Sequence, residues 1–126
     1  MSTLPTLQLG YARTELRRQL VEAVLRGEKT ATAGLLADYE AEGEEPEPEG
    51  SRSALLGYKD EPVAVVELTE SRVVPAAAID ERFARDEGEG YESVDDWRIA
   101  HERFFGRRIE PETEIVAIRF RVVERL

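Results

Sequence analysis

Lys29, Thr30 and Thr32 sit together in Lys29-Thr30-Ala31-Thr32, a run of small residues whose backbone another group can approach closely. A lysine in such a place can bind a phosphate, or act as a base if it is desolvated, because burial disfavours its charged form. The plainer reading is a surface lysine just past a helix end, where the dipole favours a cation. Asp86-Glu87-Gly88-Glu89-Gly90 is an acidic turn spaced by glycine. Carboxylates this close cannot all ionise freely if the turn faces a cleft, so one of them can hold a proton. Near the start of a helix the same charges are stabilised by the dipole and need no function. Ser93 is a nucleophile only with a base beside it, and no Gly-x-Ser-x-Gly elbow surrounds it. With Asp96 three residues on, it reads more simply as a helix N-cap, a role compatible with a hydroxyl that also faces a pocket. Trp97, His101, Phe104 and Phe105 form an aromatic stripe at helical spacing, which serves either as core or as a platform on which a base stacks.

The elements that must position these groups follow from periodicity and punctuation. Leu16, Leu20 and Val24, flanked by Val21 and Leu25, predict a helix over 14–26 that stops at Gly27. Leu35, Leu36 and Tyr39 before Gly43 predict a second, shorter helix. The glutamate-rich stretch 40–49, interrupted by Pro46 and Pro48, reads as an exposed loop. Residues 52–58 and 63–74 are rich in Val and Leu and are joined by Lys59-Asp60-Glu61-Pro62, the pattern of a β-hairpin. A short helix carrying Ile79 and Phe83 follows Pro75. The stripe of Val94, Trp97, His101 and Phe104 predicts a further helix from Ser93 to Gly106. Val116, Ile118, Phe120 and Val122 alternate with Ala117, Arg119 and Arg121, as in a half-buried strand. Long strands interleaved with separated helices fit an α+β domain with a partly closed antiparallel sheet.

Composition narrows the chemistry. The chain has 126 residues with no cysteine and one histidine, which excludes disulfides, thiolate metal sites, a cysteine nucleophile and a His-rich metal centre. The formal net charge is −10, so the field of the whole molecule repels phosphates. A nucleic-acid strand would need a local basic path, for which Arg98, Arg103, Arg107 and Arg108 are the candidates. No apolar run approaches the roughly 20 residues of a membrane span, and the N-terminus lacks a signal-peptide pattern. A single cytoplasmic domain over 1–126 is expected, without structural metal or cofactor, as a monomer or weak homodimer.

Three blocks in order are more specific than any one of them. Gly27-Glu28-Lys29-Thr30-Ala31-Thr32, then Tyr39-Glu40-Ala41-Glu42-Gly43, then Glu87-Gly88-Glu89-Gly90 through Ser93, Trp97-Arg98, His101 and Phe104-Phe105 together resemble the ASCH domain, the activating-signal-cointegrator homology family. The resemblance runs from about residue 9 to the C-terminus. It implies a PUA-like fold, a small, partly closed β-barrel flanked by helices, with a cleft in which the Lys-Thr motif faces the Glu-Gly-Glu-Gly segment. It also implies RNA binding, and it points to two hydrolytic activities in different branches. One branch, similar to this longer form, is proposed to cleave RNA with residues that correspond to Lys29 and Ser93. A shorter branch removes the acetyl group from N4-acetylcytidine with a set that falls here on Lys29, Thr32 and Glu87. The chain departs from the family at Gly10-Tyr11-Ala12-Arg13-Thr14, where many long members carry Gly-Asp-Ser-Pro, and at Tyr91, where an acidic residue is common.

The resulting expectation is a domain that binds RNA or a modified nucleoside and hydrolyses it, as a ribonuclease or an N4-acetylcytidine amidohydrolase. Lys29 then serves as base or stabiliser of negative charge, Thr32 or Ser93 supplies a hydroxyl, and Glu87 orients Lys29 or exchanges a proton with the leaving group. Thr30, Trp97, Arg98 and His101 are the candidate substrate-binding residues. The competing expectations are a non-catalytic RNA-binding module, with Trp97 stacking a base and Lys29 on a phosphate, and a protein-interaction domain using the acidic loop.

Overall fold

The structure is a computed structural model and describes residues 4–126. Helix α1, Glu15–Arg26, begins where the Thr14 hydroxyl accepts the Arg17 amide at 3.1 Å and ends at Gly27, whose φ of 83° is the left-handed conformation of a C-cap. Its face of Leu20, Val21 and Val24 packs on the sheet. Strand β2, Ala31–Leu35, runs directly into α2, Leu36–Ala41. Leu35, expected at the start of the second helix, therefore ends a strand. Ala-Thr-Ala-Gly has weak strand preference, and pairing with the last strand overrides it.

The sheet has five strands in the order β1-β3-β4-β5-β2, where β1 is Thr6–Leu7, β3 Arg52–Leu56, β4 Pro62–Pro75 and β5 Glu114–Arg125. The hairpin of β3 and β4 forms as expected, with its turn at residues 57–61 rather than 59–62. Pairing is antiparallel except between β1 and β3, so the sheet is mixed rather than wholly antiparallel. β2 occupies the far edge beside β5, leaving the β3 edge to be covered by the incoming N-terminal segment, which runs in the same direction. Bulges at Val65/Val66 and between Leu68 and Glu70 bend the long β4–β5 ribbon. The result is an α+β fold with a strongly bent, unclosed sheet.

Two apolar cores lie on opposite faces of this ribbon, because successive side chains of β5 alternate. Val116, Ile118 and Phe120 join α1, while Ile115 and Ala117 join Phe83 of α3 (Glu81–Asp86) and Trp97 of α4 (Val94–Phe105). α4 starts as expected, with the Ser93 hydroxyl accepting the Asp96 amide at 3.1 Å, and ends at Gly106.

Arg17 of α1 is fully buried. Its guanidinium donates to the carbonyls of Leu9 at 2.7 Å, Gly57 at 2.9 Å and Gly10 at 3.0 Å, and to Asp60 at 2.9 Å. A planar five-donor fork suits three carbonyls and a carboxylate that a lysine could not satisfy together. This one side chain ties the segment before α1 to the hairpin turn, and so holds one rim of the cavity described next.

Candidate functional site

The Gly27 cap turns the chain so that the Lys29 amide donates to Ala23 O at 3.1 Å and the Thr30 amide to Asp86 O at 2.8 Å. The second bond brings the end of α3 against the start of β2. Gly88 makes the approach closer still, for its φ is +69° and a Cβ there would lie 2.5 Å from Glu28 O and 2.8 Å from the Lys29 Cα. Only glycine fits on both counts. The turn it makes lets Glu87 and Glu89, on either side, reach the same lysine.

Lys29 is 2% exposed. Its Nζ donates to the Glu87 carbonyl at 3.1 Å and to Glu89 Oε2 at 3.2 Å, with Glu87 Oε1 3.5 Å away. Glu87 is itself buried, and the Trp97 indole N–H donates to its Oε2. His101 Nε2 lies 3.4 Å from Glu87 Oε1. The other ring nitrogen, Nδ1, is 2.7 Å from the Trp97 carbonyl, which can only accept, so Nδ1 carries a proton and Nε2 donates to Glu87 when the ring is an imidazolium.

Burial alone would raise the Glu87 pKa, but the His101 hydrogen bond, the Lys29 charge and the Trp97 bond together hold it below the ordinary carboxylate value. Burial likewise opposes the charged form of His101, and the hydrogen bond and charge of Glu87 outweigh it, so its pKa is raised. Burial and the neighbouring charges of Glu89 and Glu87 push the Tyr91 hydroxyl far above its usual range, leaving it a donor to Glu89 at 3.2 Å.

These groups close one end of a cavity of about 480 Å³. Thr32, Ala33 and Gly34 of β2 form one wall, residues 7–11 a second, and Ala100, His101, Phe104 and Phe105 of α4 a third, with Tyr39 of α2 at the side. Its charged lining consists of Lys29 and His101 against Asp38, Glu42, Glu87 and Glu89. Among the described residues lining it there is no arginine. Among the described residues, too, no group of three or more His, Asp or Glu side chains is arranged to hold a metal ion.

Of the residues singled out from the sequence, Lys29, Thr32, Glu87 and His101 line this cavity together. Thr30, Ser93, Trp97 and Arg98 are not in its lining. The Thr30 hydroxyl is 3.4 Å from Asp86 O, and that of Ser93 caps α4. Trp97 offers no platform to a base, because at 1% exposure its rings are enclosed by the core and its N–H is taken by Glu87. Arg98 is held along its own helix by Glu102 at 2.9 Å. Of the other arginines proposed as a basic path, Arg107 pairs with Asp38 and Arg108 with Glu110. Sequence reasoning brought Glu89 forward only within the Glu-Gly-Glu-Gly segment, with no role of its own, and did not give Tyr39 or Arg17 a place in the site. The signal for Glu89 was its place two residues after Glu87 across a glycine.

The ASCH domain family matches this chain over residues 8–124. The chain belongs to the ASCH domain family. Its fold agrees with solved relatives. A protein from Enterococcus faecalis, at 27% identity, superposes with a TM-score of 0.85 over 99% of this chain and 79% of that one. An ASCH domain from Lactobacillus crispatus, at 25% identity, gives 0.79 over 95% and 79%. A hypothetical protein at 18% identity, with a TM-score of 0.62 over 86% and 94%, shares the fold. A search of curated proteins gives no match. ASCH domains are PUA-like and often linked to RNA binding, and no helix among the described residues is long and apolar enough to cross a membrane.

Proposed function

We propose that this ASCH domain binds the base of a modified nucleoside, free or at an exposed position in RNA, in the Lys29 cavity and hydrolyses an amide on it, as in N4-acetylcytidine. The carrying observation is the charge of the cavity: one lysine and one histidine stand against Glu42, Glu87 and Glu89, with a fourth carboxylate, Asp38, paired to Arg107. A phosphate drawn inside would meet a net negative wall in a medium where charges interact strongly, whereas an uncharged acylated base meets no such barrier. Phosphates of an RNA strand would remain outside. That electrostatic argument, with Ser93 outside the lining, favours amide hydrolysis over strand cleavage.

In this reading the Lys29 ammonium, held by Glu87, sits where the acetyl oxygen develops negative charge. Glu89, at 21% side-chain exposure the more open of the two carboxylates on Lys29, takes a proton from the attacking water and passes it to the leaving exocyclic amine. The C–N bond breaks, and acetate and cytidine leave. Thr32 positions the water or the carbonyl from the facing wall, and Glu87, fully engaged, orients the lysine.

The test incubates the purified protein with N4-acetylcytidine and, separately, with a short labelled RNA, following cytidine release and strand length by chromatography. Cytidine release that disappears in Lys29→Ala and falls by about 100- to 10,000-fold in Glu89→Gln is the expected result. Strand scission without deacetylation would reverse the choice between the two hydrolytic readings. Unchanged substrates in both incubations would remove the catalytic reading altogether.

A further inference from the structure

Two aromatic side chains at the outer end of the cavity have no structural task that accounts for their exposure. Tyr11 is 70% exposed and Phe104 42% exposed, yet their rings meet with centroids 5.8 Å apart and planes 26° from parallel. They come from separate elements, Tyr11 from the segment preceding α1 and Phe104 from α4, and both line the cavity. Behind Phe104 the rings continue inward: Phe105 at 5.5 Å, then His101 at 5.8 Å from Phe105, then Trp97 at 4.4 Å from His101. An aromatic file therefore leads from the mouth to the carboxylate that holds Lys29.

We infer that Tyr11 and Phe104 form an aromatic gate that parts to sandwich a flat, uncharged ring, and that this pair selects the substrate of the cavity. The inference rests on the reading of the cavity as a nucleoside site and adds the residues that choose the ligand. Geometry supports a gate of side chains rather than of backbone. The chain on both sides of Tyr11 is pinned, by Arg17 on the carbonyls of Leu9 and Gly10 and by the Arg13 amide on Tyr58 O at 2.7 Å, while the Tyr11 carbonyl accepts the Thr14 hydroxyl at 2.7 Å. The ring itself can turn about its own torsions. Inserting a ring between two others requires their planes to stand about 7 Å apart, twice the contact distance of carbon atoms, so the two rings, which stack on each other here, must part by rotation of the exposed Tyr11 side chain. Selection for an uncharged ring follows from Glu42 and Glu89, which line the same cavity and disfavour a phosphorylated ligand.

The test measures binding of cytidine, the uncharged nucleoside that the proposed reaction releases and does not consume, by calorimetry in wild type, Tyr11→Phe, Tyr11→Leu, Tyr11→Ala and Phe104→Ala, with urea unfolding of each variant as a check on folding. Stacking a base on an aromatic ring predicts binding weaker by about 5- to 150-fold in Tyr11→Ala and in Phe104→Ala. Tyr11→Phe should stay within about twofold of wild type, and Tyr11→Leu should fall with the alanine variants, because apolarity without a flat face is not enough. Equal affinity in Tyr11→Ala and wild type would overturn the gate while leaving the nucleoside site standing. A loss in Tyr11→Phe equal to that in Tyr11→Ala would replace stacking by a hydroxyl contact and also overturn it. Absence of binding by wild type would remove both the site and the gate.

Discussion

Replacing Gly88 with alanine strikes the contact that brings the acidic turn against the lysine strand, and a neighbouring glycine supplies its control. At Gly88 an alanine must adopt a φ of +69°, which costs an L-residue roughly 1–2 kcal/mol. Its Cβ would also fall 2.5 Å from Glu28 O, 2.7 Å from Glu28 C and 2.8 Å from the Lys29 Cα, all backbone atoms that cannot swing aside. Forcing extra volume into a packed contact of this kind adds about 1–3 kcal/mol. Gly90 has a φ of +86° with nothing within 4 Å of the place a Cβ would take, so Gly90→Ala incurs only the first cost. The difference between the two variants isolates the contact at about 1–3 kcal/mol. With a urea dependence of about 2 kcal/mol per molar, Gly88→Ala should unfold roughly 0.5–1.5 M earlier than Gly90→Ala. Fluorescence of the single tryptophan, buried against Glu87, reports the transition. Midpoints that coincide to within about 0.25 M, or about 0.5 kcal/mol, would refute the claim that Gly88 is required by close approach rather than by turn conformation alone.

Two further outcomes follow from the buried charges. Arg17→Met should destabilise the fold by about 3–5 kcal/mol, since it strands the carbonyls of Leu9, Gly10 and Gly57, whereas Asp60→Asn, at a carboxylate 48% exposed, should cost less than about 1 kcal/mol; equal losses in urea unfolding would show that the ion pair and not the carbonyl bonds matters. The raised pKa of His101 makes its contribution to stability complete below its ordinary value of 6.5 and lost as pH rises through the higher folded value, while the lowered pKa of Glu87 makes its contribution present above 4.5 and lost as pH falls through the lower folded value. Unfolding free energy should therefore decline on the alkaline side of pH 6.5 in wild type, and His101→Gln should flatten that limb; an unchanged slope would detach His101 from the Glu87 network.

Much of the fold was legible along the chain because its signals are local. Thr14 and Gly27 bracket α1, Ser93 and Gly106 bracket α4, and the alternation from Val116 to Val122 marks β5, each through backbone bonds or side-chain period within a few residues. The family resemblance brought Lys29, Thr32, Glu87 and Ser93 forward as one set; the first three line one cavity, with His101 beside them, whereas the Ser93 hydroxyl caps α4 instead. β2 escaped because its small residues prefer no element until β5 is beside them, with Thr32 opposite Ile118.

The chain alone determined which residue types were available: one histidine, no thiol, a lysine after a glycine cap, and carboxylates flanking a glycine. Tertiary structure decided which of them face one another. Thr30 and Thr32 are chemically alike and two residues apart, yet one hydroxyl meets the Asp86 carbonyl and the other lines the cavity. Trp97 is the larger aromatic and the more obvious platform, yet packing of α4 on the second core encloses it and leaves Tyr11 and Phe104 at the mouth. The net charge of −10 likewise repels phosphates on average, but it is the placing of Glu42, Glu87 and Glu89 in one lining with Lys29 and His101 that gives the cavity its own sign. Sequence spacing governs contacts within an element, whereas burial and charge at a site depend on which elements pack together, and that is settled only by the fold as a whole.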